Sequence, residues 1–450
     1  MSALVSARSI FALLGLALIV GGASLLSAPD PSHSQAVDVF LNVTAGGGKK
    51  LNIAIPEFTL VSAGGDPLDL RKKIPEVAAV DLKFSALFSV VSGTPPLPAN
   101  DPEAVKKAWS EFAASGAHAG LHGLLTLKGD RAEVEIRLYD LTNPDQRLIA
   151  SKRFERSATE ARRLAHKIAD DVVYQFTGEP GIAETRVAYA GAAPGVKELY
   201  AMDYDGAGVQ RLTGNNSINL SPAWSPDARS VAFTSFMRGY PYLYRLFVSE
   251  RRPIQLLAGF LGINTSPAWS PDGKLVAMTL SKDGNPEIYV LDVATGTLRR
   301  LTNHPGIDTE PSWAPTGREI AFVSDRTGTA QIFVMDAEGS NVRRLSYGGG
   351  FNTQPRWSPK GDQIVYTSRQ GNHNLWMVSP DGTNPRRLTE SAGNNESASW
   401  APNGRHLVFQ SGRSGRWQLF TMLADGSEQQ PLTRGAGEST SPSWSPRLPW

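Results

Sequence analysis

The stretch Ser221-Pro-Ala-Trp-Ser-Pro-Asp227 returns five more times along this chain with small changes. The later copies read SPAWSPD (266–272), EPSWAPT (310–316), QPRWSPK (354–360), SASWAPN (397–403) and SPSWSP (441–446). Their tryptophans stand at 224, 269, 313, 357, 400 and 444, so the spacing stays between 43 and 45 residues. A period of about 40–45 residues is typical of a β-propeller, in which each repeat forms one four-stranded blade.

Each repeat carries the signals of four strands. A strand that ends at the box tryptophan meets a Pro-Asp-Gly type turn, where glycine adopts the positive φ that closes the turn. Gly273, Gly317, Gly361 and Gly404 fill that place, whereas Ala228 replaces the glycine after the first box and predicts a strained turn. β-rich runs follow, such as EIAFVS (319–324) and IFVMD (332–336), and an outer strand is marked by Arg-Leu-Thr or Arg-Leu-Ser.

The two ends of the repeat array are complementary. Residues 185–190 (TRVAYA) begin as a second strand with no box before them, and residues 441–446 form a box with nothing after it. The C-terminal strand is therefore expected to complete the first blade and close the ring, which removes free sheet edges. Residues 185–450 thus predict an all-β six-bladed β-propeller, with the box tryptophans packed between blades.

Ahead of the propeller, residues 37–180 predict a small α/β N-terminal domain. Strand patterns lie at 51–55, 121–127, 132–138 and 148–154, helical patterns lie at 70–88, 102–114 and 158–176, and Pro180-Gly181 marks the linker. Residues 37–43 alternate like a strand and are followed by Gly46-Gly47-Gly48, so 37–48 is either a first strand of this domain or a detachable arm.

The first 36 residues are typical of a signal peptide. Arg8 gives a positive start, residues 10–20 are apolar, and Ser34-Gln35-Ala36 offers a small-residue cleavage site after Ala36, with Ala28 as a second one. The alternative is a membrane anchor, but the apolar stretch 10–26 contains Gly15, Gly21 and Gly22 and is marginal for a span. An exported protein is therefore predicted.

Composition narrows the function classes. The chain has 0 cysteines, which excludes disulfides and thiolate sites, and its net charge of +2 gives no reason to expect nucleic acid. His118 and His122 stand four apart without a third ligand, so neither a metal nor another cofactor is predicted. The sequence holds no Gly-x-Ser-x-Gly elbow, Walker loop or His-Glu-x-x-His, so we expect a non-enzyme; a secreted propeller hydrolase or lyase is the alternative.

A polar position recurs five residues before each box tryptophan. It is occupied by Asn219, Asn264, Asp308, Asn352, Asn395 and Ser439, which predicts a polar ring at one mouth of the channel. Each of these residues could equally cap its own loop as an Asx turn, and the two roles can coexist. The neighbouring positions vary between blades, and such variation within a repeat is expected at a surface that binds one specific partner. These positions include Thr265, Thr309, Glu310, Thr353, Gln354 and Glu396.

The boxes, the α/β domain and the signal together resemble the TolB family, the periplasmic propellers of the Tol–Pal system, over nearly the whole chain. The resemblance implies a periplasmic, non-enzymatic scaffold, peripheral to membranes through its protein partners and without a small-molecule substrate. It implies that one propeller mouth binds the peptidoglycan-associated lipoprotein Pal and that the mature N-terminus binds inner-membrane TolA, with other Tol proteins as further partners. The implied roles are outer-membrane integrity and envelope constriction in cell division.

Site residues follow from the same resemblance. Thr309-Glu310-Pro311 matches the Thr-Glu-Pro motif that contributes to the Pal site in the family, whereas Ile263 stands where the family often has a histidine. The Pal-binding prediction comprises Asn264, Thr265, Asp308, Thr309, Glu310, Asn352, Thr353, Gln354, Asn395 and Glu396. The TolA-binding prediction comprises the arm residues Val37, Asp38, Val39, Phe40, Leu41, Asn42 and Val43. The ending 447–450 (RLPW) runs slightly past the usual family stop.

Overall fold

The computed structural model describes residues 50–63, 65–91, 96–98, 101–193, 195–250, 252–390 and 393–449. The predicted signal peptide and the predicted arm 37–48 lie outside these residues. Among the helices of the described part, none is long and apolar enough to cross a membrane.

The N-terminal domain is a mixed sheet with helices on both faces. The sheet order is β3-β1-β4-β5-β6, with β2 beside β4. β1 runs parallel to β3 and β4, and β4 to β6 form an antiparallel meander. The strands are β1 (Leu51–Ala54), β2 (Thr59–Leu60), β3 (Phe88–Val91), β4 (Ala119–Lys128), β5 (Arg131–Asp140) and β6 (Leu148–Ser157). The helices are α1 (Leu70–Phe84), α2 (Pro102–Ala114) and α3 (Ala161–Thr177).

Helix boundaries follow local chemistry. α2 starts where Asp101 accepts the amide of Ala104 at 3.0 Å and Pro102 opens the first turn, and α3 ends at Gly178 with φ 70°. The predicted helix 70–88 stops at Phe84 instead, because the chain must turn, with Ala86 at φ 62°, before β3. The short strands β2 and β3 were not predicted, since neither carries enough residues for a period-2 pattern.

Two hydrophobic cores lie on opposite faces of this sheet. α1 and α3 pack on one face around Ile53, Ile74 and Leu164, and α2 covers the other with Trp109 and Phe112. Gly120 in β4 makes the second contact possible, because a Cβ there would lie 2.5 Å from the Trp109 ring. This glycine therefore allows a helix to pack closely on the strand that contains it.

The propeller consists of six four-stranded antiparallel sheets. Blade 1 combines β30 (Glu438–Trp444) with β7 (Arg186–Ala193), β8 (Val196–Asp203) and β9 (Gln210–Arg211). Blade 2 consists of β10 (Asn219–Trp224), β11 (Ser230–Ser235), β12 (Tyr242–Phe247) and β13 (Gln255–Ala258). Blade 3 consists of β14 (Asn264–Trp269), β15 (Leu275–Leu280), β16 (Glu287–Asp292) and β17 (Leu298–Arg300). Blade 4 consists of β18 (Asp308–Trp313), β19 (Glu319–Ser324), β20 (Gln331–Asp336) and β21 (Arg343–Arg344). Blade 5 consists of β22 (Phe351–Trp357), β23 (Ile364–Gln370), β24 (Asn372–Val378) and β25 (Arg386–Arg387). Blade 6 is β26 (Asn395–Trp400), β27 (His406–Ser411), β28 (Gln418–Leu423), β29 (Gln430–Pro431).

The C-terminal strand closes the ring, as the repeat ends predict. β30 pairs antiparallel with β7, with Trp444 opposite Val187 and Glu438 opposite Ala192. Neighbouring inner strands contact one another around the ring, from β10 through β14, β18, β22 and β26 to β30 and back to β10. The outermost strands β17, β21 and β25 end at Arg300, Arg344 and Arg387, the arginines of the Arg-Leu-Thr and Arg-Leu-Ser motifs that predict an outer strand.

The box tryptophans pack between blades. All six are buried, and three of them donate their indole N–H to the inner strand of the preceding blade: Trp269 to the carbonyl of Ala223 at 3.2 Å, Trp313 to Ala268 at 3.1 Å and Trp400 to Arg356 at 3.0 Å. Ala228 adopts φ 57°, where Gly273 adopts 70° in the next blade, so the strained turn is confirmed. A non-glycine residue in this region costs about 1–2 kcal/mol.

The N-terminal domain packs against the propeller face formed by the box turns, which we call the covered face. His406 at the start of β27 donates Nε2–H to the carbonyl of Phe84 at 3.0 Å, and Tyr204 donates to Asp81 at 2.5 Å. The linker is fixed, because Asp170 accepts the amides of Ala183 and Glu184 at 2.8 and 3.0 Å. The opposite face, where the inner strands begin, we call the open face; no described residue of the N-terminal domain is hydrogen-bonded there.

Candidate functional site

Every predicted Pal-site residue lies at the open face, at the start of an inner strand. Each inner strand begins at the recurring polar position or one residue before it and runs toward its box tryptophan at the covered face. The predicted residues of successive blades therefore surround one mouth of the channel. The same topology places the loops that enter the inner strands beside the loops that join the second and third strands of each blade. The mouth is therefore built from two rings of loops on a rigid scaffold.

A β-bulge interrupts each inner strand two residues after its recurring polar position. The pairing register shifts there in all six blades, and the bulged residue adopts a positive φ without being glycine. These residues are Ser221, Ser266, Glu310, Gln354, Ser397 and Ser441, with φ between 51° and 55°. Bulges re-aim side chains, and a non-glycine residue in this conformation requires support from its surroundings. Side chains from the preceding blade supply part of that support.

The amides of the bulged residues are bound across the blade boundary. Gln354 donates its amide to Oε2 of Glu310 at 2.7 Å, and Ser397 donates its amide to Oε1 of Gln354 at 2.9 Å. Ser441 similarly donates to Oε1 of Gln410 at 2.8 Å. Glu310 was expected in a loop before the third box; it instead lies inside β18, where the bulge turns its side chain toward the next blade.

Glu310 is the one acidic side chain among the six bulged residues. Burial raises the pKa of its carboxyl group, while the Gln354 amide and the charge of Arg356 act in the opposite direction. Burial likewise lowers the pKa of the Arg356 guanidinium, which the charge of Glu310 opposes. Among the described residues no basic group lies within ion-pair distance of Glu310, so its charge is poorly compensated within the protein.

The predicted polar ring is not exposed. Asn264, Asp308, Asn352 and Asn395 are 0% exposed, and most of their polar atoms are hydrogen-bonded within the protein, although Oδ1 of Asp308 and Oδ1 of Asn352 have no partner there. Asn264 accepts the amide of Phe260 at 2.9 Å, Asn352 donates to the carbonyl of Gly348 at 2.7 Å, and Asp308 accepts from Arg326 at 2.8 Å. Asn264, Asn352 and Asn395 therefore cap their own loops, as the Asx-turn alternative predicts. Asp308 instead holds the loop between β19 and β20, and none of the four residues is exposed to a partner. They fix the loops that carry their neighbours.

The more variable neighbours do come together. A cavity of about 610 Å³ opens at the mouth across blades 4 to 6, and its wall includes five of the predicted residues: Thr309, Glu310, Thr353, Gln354 and Glu396. Thr265, in blade 3, lies outside this cavity and accepts from Thr234 at 3.2 Å. The site is therefore off-centre in the ring, on the side of the Glu310 blade.

The cavity wall also includes residues that sequence reasoning missed. His373 Nδ1 lies 2.5 Å from Oε1 of Glu396, whose other oxygen accepts from Gln410 at 3.2 Å. Asp325 and Thr329 come from the loop between β19 and β20. His373 lies in β24, and all three residues stand at positions that other blades fill with different residue types, so the repeat gave no signal for them.

An apolar crescent lies beside the cavity. The residue immediately before the recurring polar position is Ile218, Ile263, Ile307 and Phe351 in blades 2 to 5, and these side chains are 40–45% exposed. In blades 6 and 1 the same position holds Asn394 and Glu438, so the mouth is apolar on one side and polar on the other. Leu261 and Tyr347 on the same loops are 83% and 74% exposed and extend this crescent. Large exposed apolar patches on a folded protein mark interaction surfaces.

Neither His118 and His122 nor any other group of residues forms a metal site in the described part of the chain. No set of three His, Cys, Asp or Glu residues there could hold an ion. His118 accepts the amide of Asn52 at 3.2 Å, and His122 is buried beside Thr59 at 3.0 Å. Burial, and secondarily the charge of Arg137, lower the pKa of His122 to about 4, so this imidazole is neutral at pH 7.

Comparison with protein families matches both parts of the chain. The TolB beta propeller domain matches residues 173–448, and the TolB amino-terminal domain matches residues 39–148. The first match alone covers more than half of the chain.

Individual relatives agree. The Tol-Pal system protein TolB of Geobacter sulfurreducens is 40% identical over 212 residues, 46% of this chain and 48% of the relative. That of Cereibacter sphaeroides is 36% identical over 239 residues, 52% of each chain. The chain thus spans about half the length of the curated relatives it matches. The crystal structure of TolB from Acinetobacter baumannii superposes with a TM-score of 0.77 at 29% identity, covering 89% of this chain and 97% of that one.

Proposed function

The chain belongs to the TolB family, and from that premise we propose that it is a periplasmic protein-binding scaffold of the Tol–Pal system. In this role it links the peptidoglycan-associated lipoprotein Pal to TolA, and thereby serves outer-membrane integrity and envelope constriction in cell division. It acts by binding proteins and not as an enzyme. The observation that carries the proposal is the carboxylate of Glu310, which lies in the cavity at the open face and has no ion-pair partner among the described residues.

The neighbouring blade shows that the charge of Glu310 is not needed by the fold. Gln354 occupies the same bulge position in blade 5 and accepts the amide of Ser397 through its neutral side chain at 2.9 Å. Glu310 accepts the amide of Gln354 at 2.7 Å in the same manner. A glutamine would therefore satisfy this bond as well as a glutamate does, and the half-buried charge costs free energy in the unbound protein. A binding partner that donates a hydrogen bond to the Glu310 carboxylate would compensate this charge, which explains why a glutamate stands here although a glutamine would serve the fold.

The cavity and the crescent together describe the partner surface that fits them. The partner presents a cation or several N–H donors to Glu310 and Glu396, and an apolar flank to Ile307 and Phe351. Exposed apolar side chains at a mouth with a few buried polar groups give the usual arrangement of a protein interface, an apolar centre with specific polar contacts. Pal is proposed as that partner.

Calorimetric titration of Pal into the wild-type protein at several pH values tests this part. Binding a cation beside Glu310 lowers the raised pKa of its carboxyl group again, so complex formation releases a proton and should weaken as the pH falls. Proton release is measured by repeating the titration in buffers of different ionisation enthalpy. Affinity that rises as the pH falls would contradict the role of the carboxylate.

The second part of the proposal concerns the arm. Residues 37–43 lie outside the described residues, and their assignment to TolA binding rests on the strand-like alternation and on the family resemblance. An extended segment can add to a sheet edge of a partner, which is a common mode of peptide recognition. A pull-down with TolA, using the exported protein with and without residues 37–43, tests this assignment.

A further inference from the structure

A second cavity lies on the covered face, far from the Pal-site prediction. Its volume is about 420 Å³, and α3, the linker, the ends of blades 1 and 2, and the segment after β30 form its wall. Small-molecule sites commonly have volumes of roughly 300–1,000 Å³ and lie at domain interfaces. This cavity has the size and the position of such a site.

Four residues of this wall carry a buried polar atom without a protein hydrogen-bond partner. The atoms are His166 Nε2, Glu184 Oε1, Arg186 Nε and Trp224 Nε1. The nearest carboxylate to Arg186 Nε is that of Asp203, with Oδ1 3.9 Å away. Each unsatisfied buried group costs about 1–3 kcal/mol, and it is unusual for four of them to meet at one cavity.

Trp224 is an exception among the box tryptophans. The indole N–H groups of the other five all have partners, including the Thr185 hydroxyl for Trp444 at 2.8 Å and the Gly361 carbonyl for Trp357 at 3.2 Å. Blade 2 departs from the repeat twice more beside the cavity: Ala228 replaces the turn glycine, and residues 248–254 lack the glycine found in the equivalent hairpins. Departures from a sixfold repeat that gather at one cavity indicate a requirement other than blade packing.

The charges of the wall favour an anion. The acidic residues are already paired with bases: Glu184 with Lys167 at 3.2 Å, Glu250 with Arg252 at 2.5 Å and Asp203 with Arg162 at 3.3 Å. His166 donates Nδ1–H to Asp81 at 2.8 Å. Burial lowers the pKa of His166, but the hydrogen bond and charge of Asp81 outweigh it, and the net shift is upward, which favours a second donor at Nε2. The N–H donors of Arg186 and Trp224, the unpartnered Nε2 of His166 and the exposed Arg229 therefore share this wall with one free carboxylate oxygen of Glu184.

We propose that this cavity binds a ligand that combines a carboxylate with a neighbouring N–H group, namely the carboxyl-terminal end of a short peptide. The carboxylate accepts from Trp224, Arg186 and His166, and the peptide N–H donates to Glu184. The donor atoms are enclosed in the unliganded arrangement, so binding includes a small adjustment of the side chains around the cavity. Because the wall includes α3 and both blade ends, the ligand would tie the N-terminal domain to the propeller.

Calorimetry and thermal unfolding with the dipeptide Ala-Ala, at millimolar concentrations, test the proposal. Ala-Ala should bind and raise the melting temperature, whereas Ala-Ala amide, which lacks the carboxylate, and acetate, which lacks the N–H, should bind at least tenfold more weakly. Trp224→Phe keeps the ring and removes the donor, so it should weaken Ala-Ala binding roughly 5- to 10-fold.

Trp269→Phe is the matched control. It removes the indole donor of the next blade, which is bonded to Ala223, so it should lower the melting temperature while leaving Ala-Ala affinity unchanged. Equal affinity for Ala-Ala and its amide, no binding up to tens of millimolar, or unchanged affinity in Trp224→Phe would overturn the proposal. A crystal structure of the soaked protein with only ordered water in the cavity would overturn it as well.

Discussion

Removal of residues 441–450 tests how the ring is closed. The deletion takes away Trp444, which is 5% exposed, together with its 2.8 Å hydrogen bond to Thr185. It also removes the bonds of Arg447 to the carbonyls of Pro180 and Gly181 and that of Leu448 to Glu184. The half of β7 around Val187 and Ala188 then loses its pairing partner, next to β10 and β26, the inner strands that β30 contacts.

The expected loss of unfolding free energy is large. Truncating a buried tryptophan costs about 3–5 kcal/mol, and each lost hydrogen bond costs roughly 0.5–1.5 kcal/mol. The total is comparable to the whole stability of a typical domain, about 5–15 kcal/mol. Truncated protein should therefore unfold or aggregate near room temperature, whereas Trp444→Phe should lose only about 1–2 kcal/mol.

Urea unfolding followed by far-UV circular dichroism measures these losses. A deletion that leaves the midpoint within the range of Trp444→Phe would refute the closure argument. Loss of a single blade, with the rest of the transition unchanged, would refute it too.

Three further predictions follow from the folded structure and the family assignment. Burial lowers the pKa of both His122 and His406 to about 4, whereas the pKa in the unfolded chain is about 6.5. The stability that each neutral imidazole contributes is therefore complete above pH 6.5. As the pH falls to 4, the free energy of unfolding should decrease by up to roughly 3 kcal/mol for each histidine. His406→Gln should flatten that part of the stability profile, and an unchanged profile would show that folding does not lower the pKa of His406. Ala228→Gly should stabilise the protein by about 1 kcal/mol in urea unfolding, because it relieves a φ of 57°, and destabilisation would mean that the buried methyl group matters more. Deletion of residues 37–43 should abolish TolA capture and leave Pal affinity within twofold, whereas equal loss of both partners would argue against a separate arm.

The repeat made the propeller predictable, because six boxes at an even period leave little freedom in strand number or closure. Helix α2 was predicted with the bounds that it has, since Asp101 and Pro102 mark its start clearly. Helix α1 was predicted four residues too long, because apolar residues continue into β3 without a break in the pattern. Short strands that depend on tertiary pairing leave no such signal.

The candidate site was only partly predictable. The recurring asparagines predicted an exposed polar ring. A residue type that recurs in nearly every blade instead stabilises the blade itself, and Asn264 and Asn395 are accordingly buried. The bulge at Glu310 could not be foreseen, because Ser, Gln and Glu give no indication of a positive φ. Residues that differ between blades, such as Glu310 and Phe351, were the better guide to the cavity.

Titration of Pal into Glu310→Gln tests the central claim most directly. The substitution keeps an acceptor for the Gln354 amide, as Gln354 itself does for Ser397, and removes only the charge. Glu338→Gln, an exposed carboxylate at the covered face of the same blade, is the control. Loss of a charge-assisted hydrogen bond of about 1.5–3 kcal/mol predicts Pal affinity at least tenfold weaker for Glu310→Gln. The melting temperature of Glu310→Gln should be no lower than that of the wild type, and Glu338→Gln should keep the wild-type affinity for Pal. Wild-type affinity in a folded Glu310→Gln protein would contradict the proposal that this mouth binds Pal through Glu310.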